Sequence, residues 1–177
     1  MPETIENYTP QSILGDLRKH AFKIWGVVLF LSAAWVFLIL LAPVTKVNDL
    51  IGISSPLYSF YSYICHQIPS RSFHVFEHQF AVCSRCFGVY FGLFIGLLSY
   101  PIFRSMEKID PFPRIWLILS TLPIAVDWSL TFFGIWENTQ LSRVLTGLIL
   151  GTACAVFIVP ALVELSQILL LRQQKEA

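Results

Sequence analysis

Four long apolar segments, separated by short polar connections, dominate the pattern of this chain. The first runs from 24 to 41 without a charged residue, and Ala42-Pro43 ends it. About 20 apolar residues are enough to cross the ~30 Å hydrocarbon core of a bilayer. The pattern therefore predicts four transmembrane helices, at about 24–43, 80–103, 114–136 and 141–171.

Two further segments are too short or too polar to span a membrane. Residues 57–64 are apolar and aromatic, which favours a half-helix packed on the outer side of the bundle. Residues 9–20 are expected to form an amphipathic lead-in at the interface, with Ile13, Leu14 and Leu17 on its apolar side. The polar first 16 residues do not have the pattern of a cleavable signal peptide.

Small residues recur at helical spacing on two of the predicted spans. Gly88, Gly92 and Gly96 lie four residues apart on the second span, and Gly147 and Gly151 lie on the fourth. A stripe of this kind lets a neighbouring helix backbone approach closely. We expect the second and fourth spans to make the tight contacts of the bundle.

The composition supports a membrane protein. The chain is 55% hydrophobic and only 13% charged, whereas a soluble domain carries about 25% charged residues. The predicted fold class is an all-α integral membrane protein, with four transmembrane helices and a short outer half-helix in one domain covering 1–177. Its environment is the lipid bilayer, and a net charge of +1 argues against nucleic-acid binding.

The basic residues predict an orientation in the cell membrane. One side of the four-span arrangement carries eight of them: Arg18, Lys19, Lys23, Arg104, Lys108, Arg114, Arg172 and Lys175. The other side carries four: Lys46, Arg71, Arg85 and Arg143. Because basic residues concentrate on the cytoplasmic side, both termini are predicted to be cytoplasmic. The loop between the first two spans then faces outward.

That outward loop and the start of the second span contain three of the four cysteines. Cys83 and Cys86 are three residues apart, so both can face one point on a turn that enters a helix. The helix dipole there favours thiolates. With Cys65 as third ligand and His66 as fourth, a tetrahedral site for zinc or iron is predicted. His74 and His78, which would share a face on a helix, are alternative fourth ligands.

The same thiols permit other interpretations. A Cys-x-x-Cys at a helix start is typical of thiol–disulfide oxidoreductases, which in a membrane can pass electrons to a quinone. Such enzymes usually have a second cysteine pair. Here the remaining cysteine, Cys154, lies in the middle of a span, where it is most simply interpreted as a small packing residue. Alternatively, Cys65 forms a disulfide with Cys83 or Cys86 that staples the loop. The chain could also be a non-catalytic subunit that binds partner chains in a membrane complex.

Charged residues are predicted to gather beneath the cysteines. Asp127 lies about nine residues before the outer end of the third span, and Arg143 enters the fourth span at the same side. A charge at that depth costs roughly 2.5–3.5 kcal/mol unless it is paired or reaches water. Asp127 is therefore expected to pair with Arg143 or Arg85. Asp127, Arg143 and Arg71 are the candidates for catalytic roles, although no substrate is indicated and no enzyme activity is claimed.

Two sequence motifs resemble a known family. The run Cys65-His66-Gln67-Ile68-Pro69-Ser70-Arg71-Ser72-Phe73 and the run Val82-Cys83-Ser84-Arg85-Cys86-Phe87-Gly88-Val89-Tyr90-Phe91-Gly92 are similar to those of the small membrane proteins known as domain of unknown function 2085. Asp127, Asn138, Ser142-Arg143, Thr146-Gly147 and Gly151 also fit that pattern. The resemblance implies that the cysteine cluster, Arg71, Asp127 and Arg143 belong together. Phe87 departs from it, since a smaller polar residue is expected there.

Overall fold

The structure, a computed structural model, describes residues 11–106 and 112–176 and is built mainly of helices. These ranges contain α1 (Gln11–Val47), α2 (Ile51–Ser62), a 3-10 turn (Pro69–Arg71), strands β1 (His74–Val75) and β2 (His78–Gln79), α3 (Ser84–Phe103), α4 (Ile115–Phe132) and α5 (Gln140–Glu176). Four stretches are long and apolar enough to cross a membrane: Arg18–Val47, Ser84–Phe103, Ile115–Phe132 and Gln140–Ser166. The predicted fold class, with four spans and one short additional helix, is confirmed.

The first span does not end at Ala42-Pro43 as expected. Helix α1 continues through Pro43 to Val47. Proline removes one backbone donor and disturbs the preceding turn of a helix. The Thr45 hydroxyl lies beside that turn and donates to the carbonyls of Leu41 and Ala42, each at 3.0 Å. That hydroxyl does not replace the N–H that Pro43 lacks, whose acceptor four residues back would be the carbonyl of Ile39. Prolines are nevertheless tolerated inside spanning helices, where packing against neighbouring segments compensates for one lost backbone bond.

Helices α3 and α5 form the central pair of the bundle, and they meet through their glycines as predicted. A Cβ on Gly92 would lie 2.8 Å from the Cα of Leu148, and one on Gly96 would lie 2.7 Å from the Cβ of Ala155. Such distances are shorter than van der Waals contact, so only glycine permits this approach. The Thr152 hydroxyl adds a hydrogen bond of 3.2 Å to the carbonyl of Gly92.

Helix α1 packs against this pair through two separate apolar clusters. One cluster gathers Ala21, Leu97, Tyr100 and Val159 near the start of α1. The other, at the far end of α1, joins Ile39 and Ala42 to residues from α2 and from the segment before α3: Tyr61, Cys65, Phe80, Ala81 and Val82. The segment that carries the cysteines is therefore part of a packed core at one end of the bundle.

His74 and His78 lie on a hairpin rather than on a helix. Strands β1 and β2 pair antiparallel, with His74 opposite Gln79 and Val75 opposite His78. The two connecting residues, Phe76 and Glu77, have φ values of 47° and 66°. Positive φ at both central positions is the conformation of a type I′ hairpin turn. The shared helical face considered for these histidines does not form.

Helix α4 is the most peripheral of the spanning helices. Its buried residues are Ser120 and Asp127, and large apolar side chains cover much of its surface. It packs mainly along α5. Polar contacts near its carboxyl end, described below, tie it to α3.

Some of the sequence expectations fall partly outside the described residues. Residues 9 and 10 of the expected amphipathic lead-in are outside, and residues 11–20 belong to α1, with the side chains of Ile13, Leu14 and Leu17 not described. Lys108 of the basic turn also lies outside, as do the side chains of Arg172 and Lys175.

Candidate metal centre

Three cysteines from two parts of the chain converge at one point. The sulfur atoms of Cys65, Cys83 and Cys86 all lie within 4.8 Å of one another. The Sγ atoms of Cys83 and Cys86 are 3.4 Å apart, and the backbone N–H of Cys83 donates to Cys65 Sγ at 3.1 Å. Cys65 is buried, and the other two are half-buried. None of the four cysteines of the chain is in a disulfide.

The two halves of the cluster are joined by Gln67. The side-chain amide of Gln67 donates to the carbonyl of Tyr58 on α2 and to the carbonyl of Ala81 just before α3, both at 2.8 Å. The Tyr58 hydroxyl donates in turn to the carbonyl of Gln79. Cys65 itself is anchored to α2, since its N–H donates to the Tyr61 carbonyl at 2.9 Å. These bonds hold Cys65 beside the start of α3.

Two buried serines fix the loop that covers the start of α3. Ser84, the first residue of that helix, donates from its hydroxyl to the carbonyl of Arg71 at 2.6 Å. Ser72 donates to the carbonyl of Ile68 at 2.9 Å, and the amide of Gln140 on α5 donates to the carbonyl of Ser72 at 3.1 Å. Both serine side chains are fully buried. The loop is thus attached to α3 and α5 at once.

The surroundings of Cys83 favour its thiolate. The pKa of the Cys83 thiol is lowered, first by hydrogen bonding to Cys65 and next by hydrogen bonding to Cys86. The backbone N–H groups of Cys86 and Arg85 act in the same direction with smaller effects, and together the four hydrogen bonds outweigh the burial of the thiol, which opposes the change. Cys83 is the N-cap residue of α3, where unpaired N–H groups and the helix dipole favour a negative charge. Thiolate is the form of cysteine that binds metals and attacks disulfides.

The three-sulfur cluster could hold a metal ion. Four ligands arranged tetrahedrally around zinc, with Zn–S bonds of about 2.3 Å, place sulfur atoms about 3.8 Å apart. The Cys83–Cys86 separation of 3.4 Å is slightly shorter than that value, and the other two separations do not exceed 4.8 Å. Within residues 11–106 and 112–176, no fourth cysteine, histidine or carboxylate lies as close to all three sulfurs.

The histidines and the fourth cysteine lie outside this cluster. His66 and His74 are exposed, and His78 is half-buried. Cys154 is on α5, also half-buried. The structure therefore brings together three of the four residues predicted as ligands, and His66 follows Cys65 in the chain with its side chain at the surface.

A polar cleft adjoins the sulfurs. It has a volume of 440 Å³ and lies among α3, α4, α5 and the loop before α3. Cys83 and Cys86 form part of its wall, with three arginines, two polar residues and two aromatic residues: Arg71, Arg85, Arg143, Thr131, Asn138, Trp128 and Phe132. The sequence placed Arg71 and Arg143 here, whereas nothing in it singled out Trp128 or Phe132.

Asp127 is the centre of a polar network beside the cleft. It is buried and forms an ion pair with Arg85, one of the two arginines predicted as its partner. The Asn138 amide donates to Asp127 Oδ2 at 2.9 Å, while the Asn138 carbonyl oxygen accepts from Arg143. The Thr131 hydroxyl donates to the backbone carbonyl of Asp127 at 3.1 Å. Arg143 is therefore connected to Asp127 through Asn138 rather than directly.

Gln67 and Asn138 have roles that sequence reasoning did not assign. Both lie within the motifs quoted for the family resemblance, but their positions in the sequence do not indicate a binding or catalytic role. The partners of Gln67 are carbonyls 9 and 14 residues away. A single amide that connects such distant segments has no recognisable role until the loop is folded.

The comparisons with known proteins identify a family of predicted membrane proteins. Residues 65–157 match the family described as Predicted membrane protein (DUF2085). The chain is 42% identical over 113 residues to the protein named Uncharacterized protein MJ1492 from Methanocaldococcus jannaschii, covering 64% of this chain and 72% of that one. It is 34% identical over 96 residues to an uncharacterized protein of Methanothermobacter thermautotrophicus, covering 54% of this chain and 85% of that one.

No solved structure matches the chain. The matched family region begins at Cys65 and includes Cys83, Cys86, Asp127 and Arg143. It therefore contains the cysteine cluster and all the residues that line the polar cleft. The chain belongs to the DUF2085 family of predicted membrane proteins.

Proposed function

We propose that this membrane protein binds a zinc or iron ion through Cys65, Cys83 and Cys86. The observation that carries the proposal is the convergence of these three sulfurs within 4.8 Å from two separate parts of the chain. Hydrogen bonding that favours the Cys83 thiolate supports it, as does the N–H group directed at Cys65 Sγ. Backbone donors of this kind neutralise part of the charge that thiolate ligands bring to a metal site.

The fourth coordination position decides what the metal can do. His66 is the protein ligand proposed for it, which would close the site as a structural Cys₃His centre. Its exposed side chain would have to turn toward Cys65 to do so. With water in that position instead, the site would have the three protein ligands typical of catalytic zinc. Cys83 and Cys86 line the cleft, so an exchangeable position would open into it.

The residues proposed earlier for catalysis divide into two roles on this account. Arg71 and Arg143 line the cleft and can contact a bound molecule. Asp127 is buried in its ion pair with Arg85, so its proposed role is to position Arg85 and Asn138.

A second candidate is a thiol–disulfide oxidoreductase. The 3.4 Å separation of the Cys83 and Cys86 sulfurs and the lowered pKa of the Cys83 thiol favour it. Oxidation of the two thiols to a disulfide releases two electrons and two protons, which a membrane quinone would accept. The third sulfur, Cys65, has no role in this single-pair scheme, and that is why the metal proposal is preferred.

The test is elemental metal analysis of the detergent-purified protein together with a count of its free thiols. The metal proposal expects about one zinc or iron per chain in the wild type and a loss of that metal in Cys83→Ser. Cys154→Ser is the matched control, because it removes a cysteine outside the cluster, and it should retain the metal. All four thiols should react after unfolding with a chelator and without reductant.

Two results would decide against the metal. Absence of metal, with two thiols that react only after reduction, would favour the oxidoreductase or a structural disulfide. Equal metal content in Cys83→Ser and Cys154→Ser would mean that the metal is bound elsewhere. In His66→Ala, lower affinity at unchanged stoichiometry would identify His66 as the fourth ligand, and unchanged affinity would identify a site open to water.

We also propose that both termini lie in the cytoplasm and that the cluster faces outward. The distribution of basic residues supports this orientation, because eight lie on the side of the termini and four lie on the side of the cluster. Three of those four, Arg71, Arg85 and Arg143, line the cleft and are explained by it. When these three arginines are set aside, the excess of basic residues on the side of the termini is larger than the comparison of eight with four indicates.

A further inference from the structure

The polar cleft carries more positive than negative charge. Three guanidinium groups line it, from Arg71, Arg85 and Arg143. Within residues 11–106 and 112–176, the carboxylate that pairs with one of them is Asp127, and it is bound to Arg85. Arg71 and Arg143 have no carboxylate partner in that part of the chain. The Cys83 thiolate in the same wall offsets one of these two positive charges, so one remains uncompensated.

This imbalance is costly where it occurs. Arg85 and Arg143 belong to the first turns of spanning helices, and Arg143 is half-buried. Charged groups within a membrane protein are stable only when they are paired or reach water. Arg143 is also close enough to Arg71 and Arg85 to be repelled by both, although the negative charges of Asp127 and Cys83 offset part of this repulsion. An anion bound between the arginines would compensate the unpaired charge and reduce the repulsion between the guanidinium groups.

The cleft also has more hydrogen-bond donors than acceptors. A guanidinium group has five N–H donors and no acceptor. Arg143 donates from one Nη atom to Asn138, and Arg85 donates from one Nη atom to Asp127. The buried Nε of Arg85 has no partner in the described residues. A ligand with several acceptor oxygens would satisfy these donors.

Phosphate is the oxyanion that fits this arrangement best. Arginine recognises phosphate oxygens through two parallel N–H···O bonds, and phosphate offers enough oxygens for more than one guanidinium. A carboxylate has only two oxygens and a single charge. The cleft volume of 440 Å³ lies within the range of small-molecule sites, about 300–1,000 Å³.

We propose that the cleft bordered by Arg71, Arg85 and Arg143 binds a phosphate group beside the three-cysteine cluster. Trp128 and Phe132, which stack at 5.1 Å, form an exposed apolar edge of the same cleft. The phosphate group therefore comes from a free phosphate compound or from the headgroup of an anionic phospholipid. This inference goes beyond the metal proposal and does not depend on it, because the arginines and their charges are present in either case.

The first arm of the test measures binding of inorganic phosphate to the full chain in detergent by isothermal titration calorimetry. Arg143→Gln and Arg71→Gln should each weaken binding at least about tenfold, as expected for loss of a charged hydrogen-bond donor. Arg71→Gln leaves intact the Arg71 backbone carbonyl that binds Ser84. Arg114→Gln is the control, because Arg114 is exposed and precedes α4 at the opposite end from Asp127.

The second arm distinguishes the source of the phosphate group. The protein is reconstituted in nanodiscs of phosphatidylcholine alone or with phosphatidic acid, and retained lipid is measured by native mass spectrometry. Selective retention of phosphatidic acid that is lost in Arg143→Gln and Arg71→Gln, but kept in Arg114→Gln, would support a lipid headgroup. Binding of inorganic phosphate with the same dependence would support a soluble ligand.

The proposal is overturned if neither probe binds the wild type, or if Arg114→Gln weakens binding as much as the two cleft variants do. Metal content is measured on the same samples so that the two proposals can be separated. Loss of phosphate binding with the metal retained in Arg143→Gln supports the anion site. Phosphate binding by a wild-type protein without metal also supports it, and that result refutes only the metal proposal.

Discussion

Asp127 illustrates how this protein places a charge inside a membrane. Its carboxylate is buried on a spanning helix, and it is paired with Arg85 and hydrogen-bonded to Asn138. The attraction between buried charges repays the cost of removing them from water only when such additional hydrogen bonds are present. The pair also joins α4 to α3, which otherwise have few contacts.

Replacing Asp127 by asparagine should therefore destabilise the protein strongly. The change keeps the size of the side chain but leaves Arg85 as an uncompensated charge, and breaking such a pair costs about 3–5 kcal/mol. The shift in unfolding temperature in detergent measures it. Glu137→Gln is the matched control, since Glu137 is an exposed carboxylate close by in the chain, and it should change stability by less than about 0.5 kcal/mol. Equal effects of the two changes would contradict the role given to the Arg85–Asp127 pair.

Gln67 should control metal binding without touching the metal. Its amide bridges Tyr58 and Ala81, and so fixes the distance between Cys65 and the start of α3. In Gln67→Ala two carbonyls lose their donor, which should cost about 1–3 kcal/mol and weaken metal affinity. Competition with a chromogenic chelator measures that affinity.

The control for Gln67 is Asn48→Ala, which removes an exposed amide that donates to the Val44 carbonyl at 2.8 Å. This change should leave the affinity for metal unchanged. A Gln67→Ala protein with wild-type affinity would show that the cysteine cluster is held together without this bridge.

The convergence of Cys83 and Cys86 could be predicted from sequence because a Cys-x-x-Cys at a helix start directs both thiols to one point. The position of His66 could not be predicted in the same way. Adjacent residues in a loop direct their side chains according to local φ and ψ, and these depend on contacts such as those of Gln67, which itself has a positive φ of 50°. Helix geometry therefore fixes the positions of some candidate ligands, whereas the positions of others depend on how a loop folds.

At the scale of helices, the glycine contacts between α3 and α5 hold the candidate site together. Arg85 and Cys86 are on the first turn of α3, and Arg143 is on the first turn of α5. Gly147 lies against the Arg85 carbonyl, so the close approach of the two helices begins within the cleft. The glycine spacing predicted this contact because side chains four residues apart share one face of a helix.

A methyl group on Gly92 should therefore separate the two helices. Its Cβ would lie 2.8 Å from the Cα of Leu148, and backbone atoms at that distance cannot move aside cheaply. Overpacking of this kind costs about 1–3 kcal/mol. Unfolding of Gly92→Ala in detergent measures the loss. In the control Gly26→Ala, the added Cβ meets nothing within 4 Å, so stability should be unchanged or slightly higher. An unfolding midpoint of Gly92→Ala equal to that of the wild type would contradict the close packing.

The hairpin and the continuation of α1 past Pro43 could not be predicted from local sequence preferences. The turn at Phe76-Glu77 has none of the glycine or asparagine residues that usually mark a type I′ turn. Pro43 was taken as the end of the first helix, yet α1 continues through it to Val47 with the loss of one backbone hydrogen bond. In both cases contacts with neighbouring residues prevail over local preference.

For the whole molecule, the four spans followed from hydrophobicity alone, because a bilayer requires long apolar segments whatever their packing. The orientation proposed here places the carboxyl terminus in the cytoplasm and the cluster outside. A green fluorescent protein fused to the carboxyl terminus should therefore fluoresce in bacterial cells, and alkaline phosphatase fused at the same point should be inactive. The reverse pair of results would place the cluster on the cytoplasmic side and invert the proposal.

Three thiolates from two parts of the chain are proposed to hold one metal ion beside the cleft, and X-ray absorption spectroscopy at the edge of the bound metal measures this coordination. The expected spectrum has three sulfur scatterers at about 2.3 Å and one lighter atom, nitrogen from His66 or oxygen from water. A shell without sulfur, or with two sulfurs unchanged by Cys65→Ser, would contradict it.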